Sequence, residues 1–394
     1  EGGNVVSGSA QISHNGATTT ITQGSNRAVI NWDNFSIGKG ELTEFVQEGS
    51  DAAVLNRVVS SLPSKIRGDL TADGDVFLIN PNGVVVGNNA RIDTNSFIAS
   101  TLNVANEQFM DGGELNFRGE STAAIVNLGE IEADQGDVFL IARQVRNAGR
   151  ITAHEGTAGL AAGGDVYLSA PGTAGGRRLT VKAEDLKSAL QDKLADKTGI
   201  SNEGVIEAAR AVLQARDGDF YNRAINNSGR IDARGVVDGP GGTVRIAATG
   251  NDAGARVVNE GAITARRGDQ SGGAITVTGD AVSIGQDARM DAGGAPPVPG
   301  TKPLRDGGNV RIGGNKGGEG DLKTAKTTTV ADGAEIRADG TGAGDGGDVV
   351  VWSDDVTVFN GAISARGGDG GGDGGFVETS GKASLSVGES AVVR

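Results

Sequence analysis

NLGEIEADQGDVFLIARQVRNAGRITA, residues 127–153, contains the same phrase twice. The phrase is Asn, any residue, Gly, any residue, Ile, any residue, Ala. It occurs as Asn127-Gly129-Ile131-Ala133 and, 20 residues on, as Asn147-Gly149-Ile151-Ala153. It returns at Asn202-Gly204-Ile206-Ala208, 25 residues later at Asn227-Gly229-Ile231-Ala233, and after 32 more at Asn259-Gly261-Ile263-Ala265. Degraded copies follow at Met290-Ala292, Ile336-Ala338 and Ile363-Ala365. A second, glycine-led alternation falls between them, at Val138-Leu140, Val166-Leu168, Val244-Ile246, Ile275-Val277, Val310-Ile312 and Val349-Val351. A third precedes the next Asn-x-Gly position, at Ile125-Val126, Val257-Val258, Val282-Ile284, Val356-Val358 and Leu385-Val387.

Three short alternating strands per period of about 20–30 residues specify a solenoid. Period-2 alternation turns the apolar side chains to one face. One such unit cannot bury that face alone. Stacking units about 4.8 Å apart sets Ile on Ile and Ala on Ala. The expected fold is all-β: a right-handed parallel β-helix with three strands per coil, its hand following the usual crossover chirality. The asparagine before each glycine is expected at a corner, its amide stacked on the asparagine of the next coil. A sandwich or propeller would need two-residue hairpin turns and antiparallel meanders, which the unequal loops do not supply.

Composition narrows the function. Net charge is −14, so nucleic acid and anionic membrane surfaces are unexpected partners. The 67 glycines stand beside only 8 prolines, which excludes collagen. The absence of cysteine removes disulfides and thiolate metal sites. No apolar stretch approaches the roughly 20 residues that span a bilayer. No signal peptide is visible, so any targeting segment is expected to have been removed.

Residues 1–120 lack the clean repeat and are expected to hold an N-terminal β cap, the first coils and extra strands on the outside. Alternation there surrounds Ile12, Thr20-Ile21, Leu42 to Val46 and Ile66, and VINWDNF carries Trp32 and Phe35. Residues 121–394 are expected to be repeats, interrupted by an inserted loop at about 171–201 and a Pro-rich loop at 293–308. Within the first loop, AEDLKSALQDKLAD (183–196) places Leu186, Leu190 and Leu194 on one stripe of an amphipathic helix. Ser384 to Arg394 reads as strand, turn and the start of another strand without a cap, so a longer β-helical protein is expected.

Chemistry is sparse. A glycan-active β-helix enzyme would need stacked carboxylates with a nearby cation. Here Asp134, Asp137, Asp165, Asp345 and Asp348 scatter through turns, and His14 and His154 are isolated. GGDGGGDGG (367–375) resembles a calcium-binding nonapeptide but is a single copy, so a glycine turn is expected there rather than a metal site. No catalysis, cofactor or metal is expected.

Three stretches remain: VINWDNFSIGKGELTEFVQ (29–47), DAAVLNRVVSSLPSKIRGDL (51–70) and GDVFLINPNGVVVGNNARIDTNSFIASTLNV (74–104). Their sequence resembles the secretion domain of two-partner-secretion exoproteins. This is the haemagglutination-activity domain typified by filamentous haemagglutinin, and the likeness is greatest to the pro-piece of the high-molecular-weight adhesins of Haemophilus. It continues to GGFVETSG (374–381). The charged loop at 171–201 departs from it, and the Asn-Pro-Asn-Leu element of the haemagglutinin branch is missing.

The resemblance implies passage through the periplasm of a Gram-negative bacterium and recognition by the POTRA domains of an outer-membrane β-barrel transporter. It further implies release or surface display as a monomer, with β-helix folding begun by this domain. It marks Asn80, Pro81, Asn82 and Gly83 as the secretion and folding motif, Asn31, Trp32 and Phe35 as an N-terminal motif, and Asp93 and Asn95 as a secondary one. Physically, Pro81 fixes φ at the second position of a turn, Asn80 and Asn82 bond their own backbone, and Gly83 admits positive φ. That turn is expected to align the apolar strands on either side of it. The cargo is expected to be an adhesin; a cytolysin, contact-dependent toxin or haem-acquisition protein is the alternative.

Overall fold

The computed structural model describes residues 1–170, 176–182, 188–216, 220–236, 241–250, 254–300 and 303–394. They form two compact units, residues 1–190 with 203–208 and residues 191–202 with 209–394.

The first unit opens with antiparallel pairing. Strand Asn4–Ser7 runs against Arg27–Trp32, and Ala10–Asn15 forms a hairpin with Thr18–Gln23, Ile12 opposite Ile21. From there each coil strand stacks in parallel on the strand one coil on. One face runs Arg27–Trp32, Ala53–Val58, Asp75–Ile79, Ser96–Ser100, Val138–Ala142 and the second half of Arg150–Ala162. Another runs Thr18–Gln23, Leu42–Val46, Asp69–Ala72, Arg91–Thr94, Glu130–Ala133 and the first half of Arg150–Ala162. The third runs Ser64–Ile66, Val84–Val86, Ala124–Asn127 and Gln144–Asn147. This is a parallel β-helix with three strands per coil. Ile92, Ile131 and Ile151 share one register column, all buried.

Not every coil is bare on the outside. Strands Asp75–Ile79, Ser96–Ser100 and Val138–Ala142 read as apolar runs rather than alternations, because both of their faces are covered. The cover is an extra-helical layer. It comprises helix Asn106–Asp111 and an antiparallel sheet in which Asp165–Leu168 lies between Leu115–Arg118 and Leu179–Val181. This corrects one sequence expectation: Val166-Leu168 is not a rung of the helix. Alternation fixes which face of a strand is buried, but not which sheet it joins.

The second unit repeats the geometry. Ile231, Ile263, Met290, Ile336 and Ile363 form one column, and Val244, Ile275, Val310, Val349 and Val377 another. The asparagine ladder is present in both units. Asn127 Nδ2 donates to Asn147 Oδ1 at 2.8 Å, Asn202 to Asn227 at 2.7 Å and Asn227 to Asn259 at 2.6 Å. After Asn259 the same register holds Ile284, Val330 and Phe359, an apolar column in place of the amides, where the sequence repeat degrades.

Of the inserted loop at 171–201, residues 171–175 and 183–187 lie outside the described residues, as do the side chains of Leu186 and Leu190. A helix covers Ser188–Leu194, and Leu194 is buried. Within the Pro-rich loop at 293–308, residues 301–302 lie outside the described residues, and Leu304–Arg305 pairs antiparallel with Thr341–Gly342.

Candidate functional site

The Asn80-Pro81-Asn82-Gly83 turn lies between the two apolar strands that flank it in the sequence. It is a corner of the coil, carrying the chain from Asp75–Ile79 on one face to Val84–Val86 on another. Gly83 N donates to Asn80 O at 3.0 Å and closes the turn, with Gly83 at φ +105°. Asn80 Oδ1 accepts the Asn82 amide at 2.9 Å, the Asx contact expected of its position.

The asparagines also reach beyond the turn. Asn80 is fully buried, and its Nδ2 donates to Leu62 O and to Ser64 Oγ, both at 3.0 Å. Asn82 Nδ2 donates to Ser60 O at 2.9 Å. Ser64 N donates to Gly83 O at 3.0 Å, and Ser121 Oγ donates to Pro81 O at 2.6 Å. The corner therefore pins segment 60–64 of the preceding coil and accepts one bond from the chain arriving afterwards. It acts as a staple between coils, and Asn80 is its centre.

Trp32 and Phe35 lie apart from this corner. Their rings meet edge to face at 5.3 Å, and Phe35 stacks on Phe45 at 6.4 Å. Trp32 Nε1 donates to buried Asn56 Oδ1 at 2.9 Å, and Asn56 Nδ2 reaches Phe77 O at 3.4 Å. This polar thread through the core joins the first three coils. Asn56 was missed in the sequence; an amide inside the apolar run AVLNRV was its only signal. Asn31 is not part of the thread: its Oδ1 is buried with no hydrogen-bond partner. Asp93 pairs with Arg91 at 3.0 Å on the half-exposed face. Asn95 holds Asp75 Oδ1 at 2.7 Å and Ser50 O at 3.1 Å. The proposed motifs thus occupy separate places along one stack of coils.

Burial pushes the Asp75 carboxyl above the usual range, against hydrogen bonds from Asn95 and Ser96 and the charges of Arg177 and Arg27. Asp137 is likewise buried rather than a turn residue in solvent. Its Oδ2 accepts the Arg177 amide at 2.7 Å and its Oδ1 the Thr157 amide at 2.8 Å. In the glycine-rich corners, Asp306 Oδ1 accepts the Asp345 amide at 2.9 Å and Asp345 Oδ1 the Asp373 amide at 2.7 Å. These carboxylates cap the backbone of the following coil. Among the described residues no group of three His, Cys, Asp or Glu is placed to hold a metal ion.

The sequence model of the TPS secretion domain matches residues 1–263. The chain belongs to the TPS secretion-domain family. The crystal structure of the HMW1 secretion domain from Haemophilus influenzae matches with a TM-score of 0.80 and 31% identity. The match covers 100% of this chain and 97% of that one. Two curated relatives, both named heme/hemopexin-binding protein and both from Haemophilus influenzae, are 32% identical over 228 residues and 43% identical over 82 residues. Those matches cover 55% and 21% of this chain but only 23% and 9% of the relatives. The corner at Asn80 and the thread from Trp32 to Phe77 both fall inside the matched secretion domain.

Proposed function

We propose that this TPS secretion domain is recognised by the POTRA domains of a cognate outer-membrane β-barrel and that it starts folding of the exoprotein outside the cell. The observation that carries this reading is the family match over residues 1–263, reinforced by full-length similarity to the HMW1 secretion domain. The domain acts as a monomer on its route through the periplasm to the cell surface or medium. It takes no cofactor and performs no catalysis. No helix among the described residues is long and apolar enough to cross a membrane.

The physical mechanism is directional burial. Parallel pairing is non-local and slow to begin, whereas each later coil needs only its neighbour. A corner that staples the coil before it, as Asn80 and Asn82 do, favours an early ordered stack. Each further coil then removes apolar surface from water and draws the chain outward.

For the cargo, the adhesin reading follows the likeness to HMW1. A haem-acquisition cargo is the second reading, favoured by the printed names of the two curated relatives. Co-expression of the full chain with its transporter, followed by assay of the medium, tests the export reading. Wild type is expected outside the cell only when the transporter is present, and Asn80→Ala is expected to be retained. Export without the transporter, or normal export of an Asn80→Ala variant shown to be destabilised, overturns it.

A further inference from the structure

The extra-helical layer is held by guanidinium groups, those of Arg27, Arg57 and Arg143 reaching out from the coils and that of Arg177 lying within the layer, between Asp165–Leu168 and Leu179–Val181. Arg57 donates from Nε to Asn103 Oδ1 at 3.0 Å, from Nη1 to Asn106 Oδ1 at 2.6 Å and from Nη2 to Val104 O at 2.7 Å. Arg27 Nη1 donates to Phe109 O at 3.0 Å, and its guanidinium lies 5.3 Å from the Phe109 ring centre. Arg143 Nη2 donates to Gly119 O at 3.1 Å, and Arg177 Nη1 to Gly113 O at 2.9 Å. The contacts of these four arginines span segment 103–119 from end to end. Beneath them Phe77 meets Phe109 edge to face at 5.1 Å.

Chain order divides these anchors. Arg27 and Arg57 precede the segment, whereas Arg143 and Arg177 follow it. Leu115–Arg118 pairs with Asp165–Leu168, which arrives only after the coil strands Glu130–Ala133, Val138–Ala142 and Arg150–Ala162. Helix Asn106–Asp111 has six residues and no side-chain hydrogen bond at its N-cap, too little to persist alone.

We propose that this layer is a latch. It closes after the first four coils have formed, in one step that awaits Arg143, Asp165–Leu168, Arg177 and Leu179–Val181, with Arg57 and Arg177 as its positioning residues. Until closure, the outer faces of the Asp75–Ile79 and Ser96–Ser100 strands stay open. Closure buries them and ties coils early in the chain to coils later in it. The proposal rests on the export reading only for its consequence, that closure marks the point after which the emerging chain no longer slips back.

The test is pulsed hydrogen-exchange labelling during refolding of the full 394-residue chain from urea. Backbone amides of 75–100 are expected to gain protection first, and those of 103–119, Asp165–Leu168 and Leu179–Val181 later and together. In native Arg57→Ala, exchange across 103–119 is expected to rise on the order of tenfold or more while 75–100 stays protected. Arg57→Lys is expected not to restore it, because three bonds leave three different nitrogens of one planar fork. Protection of 103–119 together with or before 75–100 overturns the latch, and so does unchanged exchange in Arg57→Ala. If Arg57→Ala does not fold, the wild-type labelling order alone decides. Neither readout uses the transporter, so normal labelling with failed export would overturn the export reading and leave the latch standing.

Discussion

Asn80 occupies a buried corner in which every polar atom of its side chain has a partner. Replacing it by alanine removes these bonds and leaves Leu62 O and Ser64 Oγ short of a donor. A loss of about 2–4 kcal/mol is expected for Asn80→Ala in urea unfolding. Asn82→Ala, part-buried and with fewer bonds, is expected to lose about 1 kcal/mol. Gly83→Ala adds strain of about 1–3 kcal/mol at a positive φ, with its Cβ 3.0 Å from Ala124 O. The asparagines and the proline were legible in the sequence, since a rigid turn between apolar runs has few other readings. Their bonds to Ser60, Leu62 and Ser64 were not, because no local rule relates a turn to the coil it is stacked on.

Titration at a single residue gives a second expectation. Burial would raise the Asp339 carboxyl. The Ser364 hydroxyl, the Arg366 amide and the guanidiniums of Arg366 and Arg337 together outweigh it and hold the carboxyl below its usual range. A depressed carboxyl contributes stability above its unfolded pKa, and that stability is lost as pH falls through the folded value. Asp339→Asn is therefore expected to be less stable than wild type at pH 7. Urea midpoints measured from pH 7 downward are expected to converge below about pH 4.

At the scale of elements, the rungs follow from the repeat because only stacking buries a one-sided apolar strand. Two column features can be tested. Gly159 lies beside Phe139 in the parallel ladder, and a Cβ at 159 would sit 2.4 Å from the ring. Gly159→Ala is expected to displace Phe139 and lower the melting temperature, whereas Ala161→Gly on the same strand is expected to act only through backbone freedom. Asn227 sits between Asn202 and Asn259, so Asn227→Leu is expected to remove one hydrogen bond from each neighbouring amide. Its measured loss is expected to exceed that of Asn259→Leu, whose following register is already Ile284.

The misreading of Val166-Leu168 belongs to this scale too. Its alternation matches a rung, but Asp165–Leu168 pairs antiparallel with Leu115–Arg118 and Leu179–Val181, outside the coil. The arginines that hold the extra-helical layer were equally illegible. A charged residue within a strand reads as a solvated face until something is known to lie over it. The continuous apolar runs GDVFLI and VFLIA were the available signal, since a strand covered on both faces loses its alternation.

At the scale of the molecule, stability is nearest-neighbour: each coil is held by those on either side, and the first coils bear the cost of starting. That places the staple at Asn80, the Trp32–Asn56–Phe77 thread and the amino-terminal hairpin where the nucleus should lie. A copy of the repeat much later in the chain, such as that at Asn227, should order late. The most direct measurement is the pair of folding and unfolding rates for Asn80→Ala and Asn227→Ala against wild type. We expect Asn80→Ala to slow folding with a φ value above about 0.5, and Asn227→Ala to speed unfolding with a φ value near 0. A φ value near 0 at Asn80 would contradict an origin of folding at that corner.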